Sequence, residues 1–367
     1  MSCIKSNTVL VSLTSRQRET RYILENTLPP FLKNCVNLQQ QYLLAYHKNC
    51  KWVIFFIAVA NKSAYTIADQ VALLKSRGML FRDEPSALHL LGNISYYRLK
   101  GYWWDRQDDK TLHTLKSGTF FEDIVDRYNF DRHLRLILFD AVERIEIALR
   151  TKLIYHLSVG YGGLSYLDPG LFDTAVLRAH DGTLKTSHQN TIDELKKEFK
   201  RSQETFIKDH HRRYPNQDAD AWKTLEVASM GTLSKLYKNL RHQLPEKAAI
   251  AKEMGLNLHS ELSSWLEAIT YVRNIIAHHS RLWSRNMVKT PTVRLNNPTG
   301  LWFTKPLVQA QTKKPFLIIS AMVYLCNHIS PGHQIKDRIL ALFASNPNIG
   351  IHKLGFLNDW NKEPLWQ

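Results

Sequence analysis

The chain has 367 residues, of which 44% are hydrophobic and 22% charged, with 15 glycines and 13 prolines. This composition excludes a disordered or low-complexity chain, and the length suffices for one large or two moderate domains. Lysine and arginine number 49 against 33 acidic residues, which gives a net charge of +16. That excess favours a polyanionic partner such as RNA, DNA or an anionic membrane, although many basic proteins bind no nucleic acid.

The cysteines and the most apolar segment bear on the compartment. Cys3, Cys35, Cys50 and Cys326 contain no CxxC pair, and their spacing fits neither a zinc site nor a small disulfide scaffold. We therefore expect reduced thiols and a cytoplasmic protein. The apolar run WVIFFIAVA at 52–60 is much shorter than the roughly 20 residues of a membrane-spanning helix and lies too deep for a signal peptide. It predicts a buried strand or helix.

Helix signals become regular only after the first part of the chain. Residues 1–62 show no sustained amphipathic periodicity, so they are either a genuine N-terminal extension or translated sequence upstream of the true start. The next segment, YTIADQVALLKSRGM, predicts a helix. Thr66 stands at its N-cap with Asp69 three residues on, and Gly78 ends it.

A stronger helix start follows in TFFEDIVDRYNF, where Thr119 and Glu122 have the spacing of a capping box. An apolar stripe continues from there until Gly160, and its spacing of three and four residues places it on one helical face. The pattern fits either one long helix or two helices with a bend. The stripe consists of Leu134, Leu138, Ala141, Ile145 and Leu149.

The second half of the chain also reads as helical. Residues 160–185 are rich in Gly and Asp and predict a connection, whereas 188–211 predict one highly charged helix. Shorter helical pieces follow, then a helix from about Ser260 to His279, two further helices and an irregular tail. Alternating strand patterns are scarce, so the predicted fold class is all-α.

The helix SELSSWLEAITYVRNIIAHH carries two distinct stripes. The apolar stripe steps by three and four residues and predicts a face packed into the protein; it consists of Leu262, Trp265, Ile269, Val272 and Ile276. The polar stripe has Arg273 beside it and consists of Glu267, Tyr271, Asn274, His278 and Arg281. The apolar face therefore anchors a rigid element that presents a polar set near its C-terminal end.

Arginine and histidine at this spacing suit phosphodiester chemistry. An imidazole such as that of His278 titrates near neutral pH and can exchange a proton with a ribose hydroxyl or a leaving oxygen. The guanidinium of Arg273 can hold phosphate oxygens as charge builds on them, and Asn274 can hold the imidazole or the phosphate in place. The structural alternative is that Arg and His near a helix C-terminus only satisfy carbonyls and the helix dipole.

The string Arg273-Asn274-Ile275-Ile276-Ala277-His278 resembles the R-N-x-x-x-H form of the Rx4–6H motif of HEPN ribonucleases. The longer string YVRNIIAHHSRLWSR resembles more narrowly the AbiD/AbiF-type abortive infection proteins of bacteria, the Abi-like family. Other segments resemble the same family in the same order, over roughly residues 65–367: LLKSRGM, ISYYRLKGYWW, YNFDRHLRLILFDAVERIEIALRTKL, LEVASMGTLSKLY and GFLNDWNKEPLW.

The resemblance implies a HEPN-type helical bundle with additional N- and C-terminal helices. Its expected divisions are an extension at 1–62, a helical segment at 63–116, a HEPN-like core at 117–330 and a C-terminal helix and tail at 331–367. HEPN sites are composite and meet across a two-fold interface, so a chain with one motif is expected to form a homodimer.

The resemblance further implies RNA cleavage by attack of the ribose 2′-OH, without a metal or another cofactor. His278 is then the general acid/base, Arg273 the phosphate stabiliser and Asn274 a supporting residue, while His279 is a second candidate for the catalytic histidine. The expected role is toxin-like: a companion noncoding RNA or an antitoxin restrains the activity, and phage infection releases it.

Further residues carry alternative interpretations. Aromatic and basic residues interleave in SYYRLKGYWW, which suits single-stranded RNA through Tyr96, Tyr97, Arg98 and Lys100, or else packs a helix end into the core. Glu146 either pairs with the arginine four residues later or orients the catalytic arginine. The segment DHHRRY at 209–214 fits a solvated basic face better than a metal site.

Two rival functions use the same features. A non-catalytic RNA-binding or sensor protein would use the same basic surface without cutting RNA. A DNA-binding regulator would bind duplex DNA better than RNA, with an affinity that falls steeply as salt rises.

Overall fold

The structure, a computed structural model, describes residues 41–47, 50–57, 63–178, 182, 184–293 and 300–367, with side chains from Ser63 onward. These residues belong to two compact units, of which one ends at Ala72 and the other spans Leu73–Gln367. Thirteen α-helices, seven short 3₁₀ helices and three two-stranded hairpins make up the regular structure of this described part. The all-α fold class predicted from the sequence is therefore confirmed.

In the first unit, strand β1 (Gln41–His47) pairs antiparallel with β2 (Cys50–Ile57). The apolar run at 52–60 is thus a strand as far as Ile57, and its side chains lie outside the described residues. The backbone N–H of Asp69 donates to the Thr66 hydroxyl at 3.1 Å, and the Thr66 N–H donates to the Asp69 carboxylate at 3.3 Å. The predicted cap of the first helix is confirmed.

The remaining elements follow in chain order. The short hairpins are β3 (Gln107–Asp109) with β4 (Thr114–Leu115), and β5 (Val176–Arg178) with β6 (Leu184–Thr186). The helices are α1 (Ile67–Ser76), α2 (Glu84–Asn93), α3 (Tyr96–Trp103), α4 (Phe121–Tyr161), α5 (Ser187–Arg201), α6 (Thr205–Arg213), α7 (Ala221–Thr224), α8 (Met230–Asn239), α9 (Pro245–Glu253), α10 (His259–Ala277), α11 (Gln309–Thr312), α12 (Pro315–Ile329) and α13 (Ile335–Ala344).

Helix α4 is one continuous helix of 41 residues, which decides between the two alternatives that its pattern left open. The apolar stripe read from the sequence is fully buried along it. Gly160 lies inside the helix, which ends one residue later, and the cap is Gly162 at a φ of +85°. A backbone with that φ favours glycine because it has no Cβ.

The predicted capping box at the start of α4 is wrong. The N-cap residue is Phe120, and the Thr119 hydroxyl instead donates to the carbonyl of Lys116 at 2.6 Å. The Glu122 carboxylate accepts the backbone N–H of Arg82 at 3.0 Å and another from the next residue at 3.1 Å. Glu122 therefore joins the start of α4 to the start of α2 and does not close a local box.

The charged stretch predicted as one helix over 188–211 forms two, α5 and α6. The break falls at Ser202, whose backbone N–H donates back to Phe199 and whose hydroxyl accepts the N–H of Glu204 at 3.3 Å. Such local side-chain bonds offer the backbone an alternative to the helical pattern.

Helix α4 is the centre of the larger unit, and α3, α9, α10, α12 and α13 all pack against it. Polar contacts join the middle of α4 to the C-terminal part of the chain: Arg144 donates to the Ser330 hydroxyl at 2.8 Å, and Asp140 accepts from Arg338 at 2.5 Å. No helix in the described part of the chain is both long and apolar enough to cross a membrane. The central helix thus fixes the position of α10, which carries the RNxxxH motif.

Candidate functional site

The motif helix α10 is anchored by the apolar stripe that the sequence predicted. All five residues of that stripe are buried, with at most 4% of their surface exposed. Trp265 adds a polar anchor, because its indole N–H donates to the carbonyl of Thr292 at 2.7 Å. The polar flank therefore stands on a rigid support, as a site that must hold its geometry requires.

The helix ends earlier than expected, and the two histidines lie at its very end. Ala277 is the last helical residue, His278 is the C-cap, and His279 has a φ of +55°. The N–H of Ser280 donates to the carbonyl of Ile275 at 2.8 Å, and that of His279 donates to the carbonyl of residue 276 at 3.0 Å. This is a Schellman motif with a histidine where glycine is usual. His279 thus leaves the helix and does not continue around it.

Side chains of the motif are free to meet a ligand. Arg273 is half-buried, while Asn274, His278 and His279 are exposed. Among the described residues, none of these four side chains has a hydrogen bond or an ion pair. The helix end therefore offers a guanidinium, an amide and two imidazoles whose hydrogen-bonding groups are unused.

Helix α3, the other segment singled out in the sequence, lies against the motif. Arg98 donates from Nη1 to the carbonyl oxygen of His279 at 2.6 Å, across 181 residues of sequence. A Cβ added to Gly101 would lie 3.0 Å from Nε of Arg281, so the absence of a side chain there lets this arginine rest against α3. The structure brings these two predicted segments together.

The remaining α3 residues have different surroundings. Tyr97 is 80% exposed, and Nζ of Lys100 stands 5.9 Å from the centre of its ring. Tyr96 is half-buried, accepts a hydrogen bond from Arg77 at 2.6 Å and packs edge-on against Trp103. Tyr96 therefore holds the helix in place, whereas Tyr97 and Lys100 face outward.

A buried carboxylate fixes the segment just after the motif. Asp131 of α4 is fully buried and accepts the backbone N–H groups of Leu282 at 3.2 Å and Trp283 at 2.8 Å. It also accepts the Tyr102 hydroxyl at 2.7 Å and forms an ion pair with Arg135. Because four donors converge on this one carboxylate, the segment that follows the two histidines is held to both α3 and α4. We call this group the Asp131 clamp.

Cations gather beside the Asp131 clamp. Arg281 lies past the helix end, not on the polar stripe of α10, and its Nη1 donates to the carbonyl of Trp283 at 2.6 Å. Burial lowers the pKa of Arg281 and the charge of Arg285 lowers it further, whereas Tyr102 and Asp131 act in the opposite direction. Burial also lowers the pKa of Lys314, and the charges of Lys353 and Arg281 lower it further. Positive side chains this close repel one another, and a bound anion would relieve that repulsion.

We call Arg281, Arg285, Lys314 and Lys353 the basic cluster. Like Arg281, two further members are held by backbone oxygens, since Arg285 donates to the carbonyl of Arg281 at 2.7 Å and Lys314 to that of Ser284 at 3.2 Å. The carboxylate of Asp105 lies 4.0 Å from Nζ of Lys353. These side chains can therefore hold a phosphate next to the motif.

Two other candidate residue groups have structural roles in this chain. Glu146 accepts from Arg150 at 2.9 Å, and Arg150 also donates to the carbonyls of Leu225 at 3.1 Å and Ala228 at 2.9 Å. Glu146 is therefore part of an ion pair that ties α4 to the loop before α8. In DHHRRY, the two arginines pair with Asp209 as on a solvated basic face, but His210 is buried and bonds the carbonyl of Gln217 at 3.2 Å, so the prediction of a solvated face is wrong for this residue.

Within the described residues, no group of three His, Cys, Asp or Glu side chains is arranged to hold a metal ion. A shallow cleft of about 260 Å³ lies at the start of α8. Glu198 occupies that helix end, because it accepts the Ser229 N–H and the Thr232 hydroxyl, each at 3.1 Å. The chain's own carboxylate thus fills the place of an anion.

The sequence pointed to the motif but not to the Asp131 clamp or to Lys314 and Lys353. A signal for Asp131 did exist: it stands four residues from Arg127 and four from Arg135, so that three charged residues of α4 share one buried face. Lys314 and Lys353 gave no signal, because they lie far from the motif in sequence, at the N-cap of α12 and in a 3₁₀ helix.

Comparison with known proteins gives a family but no individual relative. No curated protein and no solved structure matches the chain. The sequence profile described as "Abi-like protein" matches residues 89–284, more than half of the chain. The match includes α3, α4, α10 and the whole RNxxxH motif, and is narrower than the range over which the sequence shows resemblance. The chain therefore belongs to the Abi-like protein family.

Proposed function

We propose that this protein is a metal-independent endoribonuclease of the HEPN type that acts in abortive infection. Membership of the Abi-like family suggests the abortive-infection role. The proposed cleavage activity rests on one observation: a half-buried arginine, Arg273, and two exposed histidines near the end of a rigidly anchored helix have no hydrogen bond or ion pair within the described residues.

Each residue then has a chemical role. His278 takes a proton from the ribose 2′-OH or returns one to the leaving 5′-oxygen, as a general acid/base. Arg273 stabilises the charge that develops on the phosphate, and Asn274 supports it. Asn274 and His278 are one helical turn apart, and the His278 N–H bonds the Asn274 carbonyl at 3.1 Å. His279, whose carbonyl is tied to Arg98, is the second candidate for the same role.

The proposed reaction selects RNA through its own chemistry. The attacking group is the ribose 2′-OH, which DNA lacks. Cleavage leaves a 2′,3′-cyclic phosphate on one fragment and a 5′-hydroxyl on the other, so no metal-bound water is needed. The basic cluster lies where it can hold the phosphate next to the scissile one.

A second copy of the chain completes the site in this proposal. The chain carries one RNxxxH motif, and the HEPN resemblance implies a site built from two. We expect cleavage per protomer to rise with protein concentration over the range in which sedimentation shows the dimer forming. A rate per protomer that stays constant across that range would contradict a composite site.

The test begins with inducible expression in a bacterial host, comparing the unchanged protein with Arg273→Ala, His278→Ala and His279→Ala. His133→Ala is the matched control, because this histidine is exposed on α4. We expect growth arrest with RNA fragments that end in a 2′,3′-cyclic phosphate, lost in Arg273→Ala and His278→Ala but kept in His133→Ala. Cleavage by the purified protein should persist when a chelator removes divalent metals.

Two results would contradict the proposal. Cleavage that survives both Arg273→Ala and His278→Ala in folded protein places the chemistry elsewhere. RNA that stays intact but bound, even after induction during phage infection, favours the non-catalytic RNA-binding or sensor protein. The phage arm matters because a companion noncoding RNA or an antitoxin would restrain the enzyme in uninfected cells.

A further inference from the structure

Helix α3 carries an exposed stripe of aromatic and basic residues beside the motif. The stripe consists of Tyr97 and Lys100 within α3 and Trp104 at its C-cap. Trp104 keeps a right-handed helical backbone, and the spacing of three and four residues therefore places all three on one face. Tyr97 is 80% exposed and Trp104 is 50% exposed. We call these three residues the α3 stripe.

The packing of α3 does not depend on the rings of Tyr97 and Trp104. The packing of α3 is supplied by Leu99, Tyr102 and Trp103, which are at most 2% exposed. Tyr97 meets the edge of Tyr96 at 5.8 Å between ring centres, and otherwise faces solvent. Large aromatic rings left exposed on a short polar helix are typical of a binding surface.

The α3 stripe borders the motif. The helix touches the motif segment through Arg98 and Gly101, and in helical projection Gly101 lies between Arg98 and Tyr97. A ligand held by Arg281 therefore reaches the α3 stripe across a glycine, without a side chain in between. Tyr97 and Trp104 are seven residues apart, about 10 Å along the helix, which is a span of one to two nucleotides of an extended strand.

We propose that the α3 stripe is a stacking platform for the bases of single-stranded RNA next to the cleaved bond. This inference rests on the proposed function, because only that function makes the bound RNA a substrate. Tyr97 and Trp104 each offer a face to a base, and Lys100 and Arg281 meet the phosphates between them. Unpaired bases are required, because the bases of a duplex are already stacked.

Charge favours RNA over a protein partner at this surface. Arg98, Lys100 and Arg106 are the exposed or half-exposed cations of the segment, and the chain carries a net charge of +16. The nearby carboxylate of Asp105 is already taken, since it lies 3.1 Å from Arg127. A surface of exposed rings with cations that form no ion pair among the described residues suits a flexible polyanion with aromatic bases.

The experiment measures binding separately from cleavage. Full-length protein carrying His278→Ala is titrated, by fluorescence anisotropy, into an unstructured oligoribonucleotide of about 12 nucleotides, into the same strand in a duplex and into the DNA equivalent. Tyr97→Ala and Trp104→Ala are then added to this background. The matched controls are Tyr155→Ala and Trp222→Ala, whose rings are 61% and 49% exposed elsewhere on the surface.

We expect each α3 change to weaken single-stranded RNA binding by about 5- to 150-fold, the range for loss of one stacked base. Replacing either ring by phenylalanine should restore most of the affinity, because a stacking face remains. The control variants should bind like the His278→Ala parent. Binding that is unchanged by Tyr97→Ala and Trp104→Ala overturns the platform.

The remaining outcomes separate this inference from the proposed function. If RNA binds through the α3 stripe but is never cut by the unchanged protein, the platform is supported and the nuclease activity is contradicted. Cleavage that is insensitive to both α3 changes removes the platform alone. Sedimentation of the α3 variants as monomers, where the parent is a dimer, overturns the platform by showing that the surface binds a second copy. A parent that binds none of the three oligonucleotides overturns both.

Discussion

The Asp131 clamp gives the sharpest test of how the motif is held. The change Asp131→Asn keeps the shape of the side chain but removes its negative charge. Buried Arg135 then loses its counter-charge, and breaking one partner of a buried ion pair costs about 3–5 kcal/mol. Asp131 is fully buried, and its bonds to Leu282 and Trp283 measure 3.2 Å and 2.8 Å, so solvent does not compensate for the loss. We expect the free energy of unfolding to fall by about 3–5 kcal/mol.

The matched control is Asp140→Asn, the same substitution on the same helix. Asp140 pairs with Arg144 and Arg338, but its side chain is 30% exposed. Pairs at the surface contribute about 0.2–1 kcal/mol each, so the control should lose much less stability. Urea unfolding followed by tryptophan fluorescence and by circular dichroism measures both variants, and the two signals must coincide for a free energy to be defined.

A local readout accompanies the global one. Backbone hydrogen bonds to a charged acceptor contribute about 1.5–3 kcal/mol, so amide exchange in a peptide covering 278–286 should quicken by about 10- to 150-fold in Asp131→Asn. Exchange in that peptide should not change in Asp140→Asn. If the two variants lose equal stability, or if the peptide exchanges as in the unchanged protein, the reasoning about the clamp is wrong.

Three further predictions follow from the same region. His279→Gly should raise the free energy of unfolding, measured in urea, by about 0.5–1 kcal/mol, because a residue with a Cβ is strained at a φ of +55°. The control His278→Gly, at a φ of −88°, should lower it. A loss of stability in His279→Gly would contradict the left-handed conformation of this residue. Gly101→Ala should leave the melting temperature unchanged or higher but weaken RNA binding, since the new Cβ displaces Arg281; unchanged affinity would count against a role for that arginine. Hydrogen bonds from two lysines lower the pKa of Glu267, so its stabilisation is present above the ordinary value of 4.5 and lost as pH falls toward the lowered one. Glu267→Gln should therefore lower the melting temperature slightly at neutral pH, by an amount equivalent to under about 1 kcal/mol, and not in acid; an equal deficit at both pH values would refute this.

Local sequence patterns predicted those parts of the fold that depend on neighbouring residues in the sequence. The apolar face of α10 and the Thr66 cap were predictable because helix periodicity and capping act over a few residues. The true end of α10 was not, since His279 takes a conformation that sequence signals assign to glycine. Glu122 shows the same limit: its spacing predicted a local cap, but a contact about forty residues away in sequence prevailed.

No local sequence pattern could predict that the separate segments of the candidate site come together. Arg98 and His279 are 181 residues apart in sequence, and Asp131 reaches Trp283 across 152. The sequence named Arg98 and His279 as candidates in separate segments, and only packing of α3 and α10 against α4 joins them. Residues chosen for their chemistry could thus be predicted, whereas the residues that hold them could not.

The central position of α4 also bears on when a growing chain can complete its fold. The middle of α4 packs against α12 and α13, and the bond from Arg144 to Ser330 closes a separation of 186 residues. At the usual pace of synthesis the buried face of α4 waits roughly 10–40 s for these partners to leave the ribosome. During that interval the nascent chain depends on chaperones and is open to proteases. A message cut short before Pro315 should therefore yield a rapidly degraded chain, which pulse labelling would detect, and not a stably folded protein.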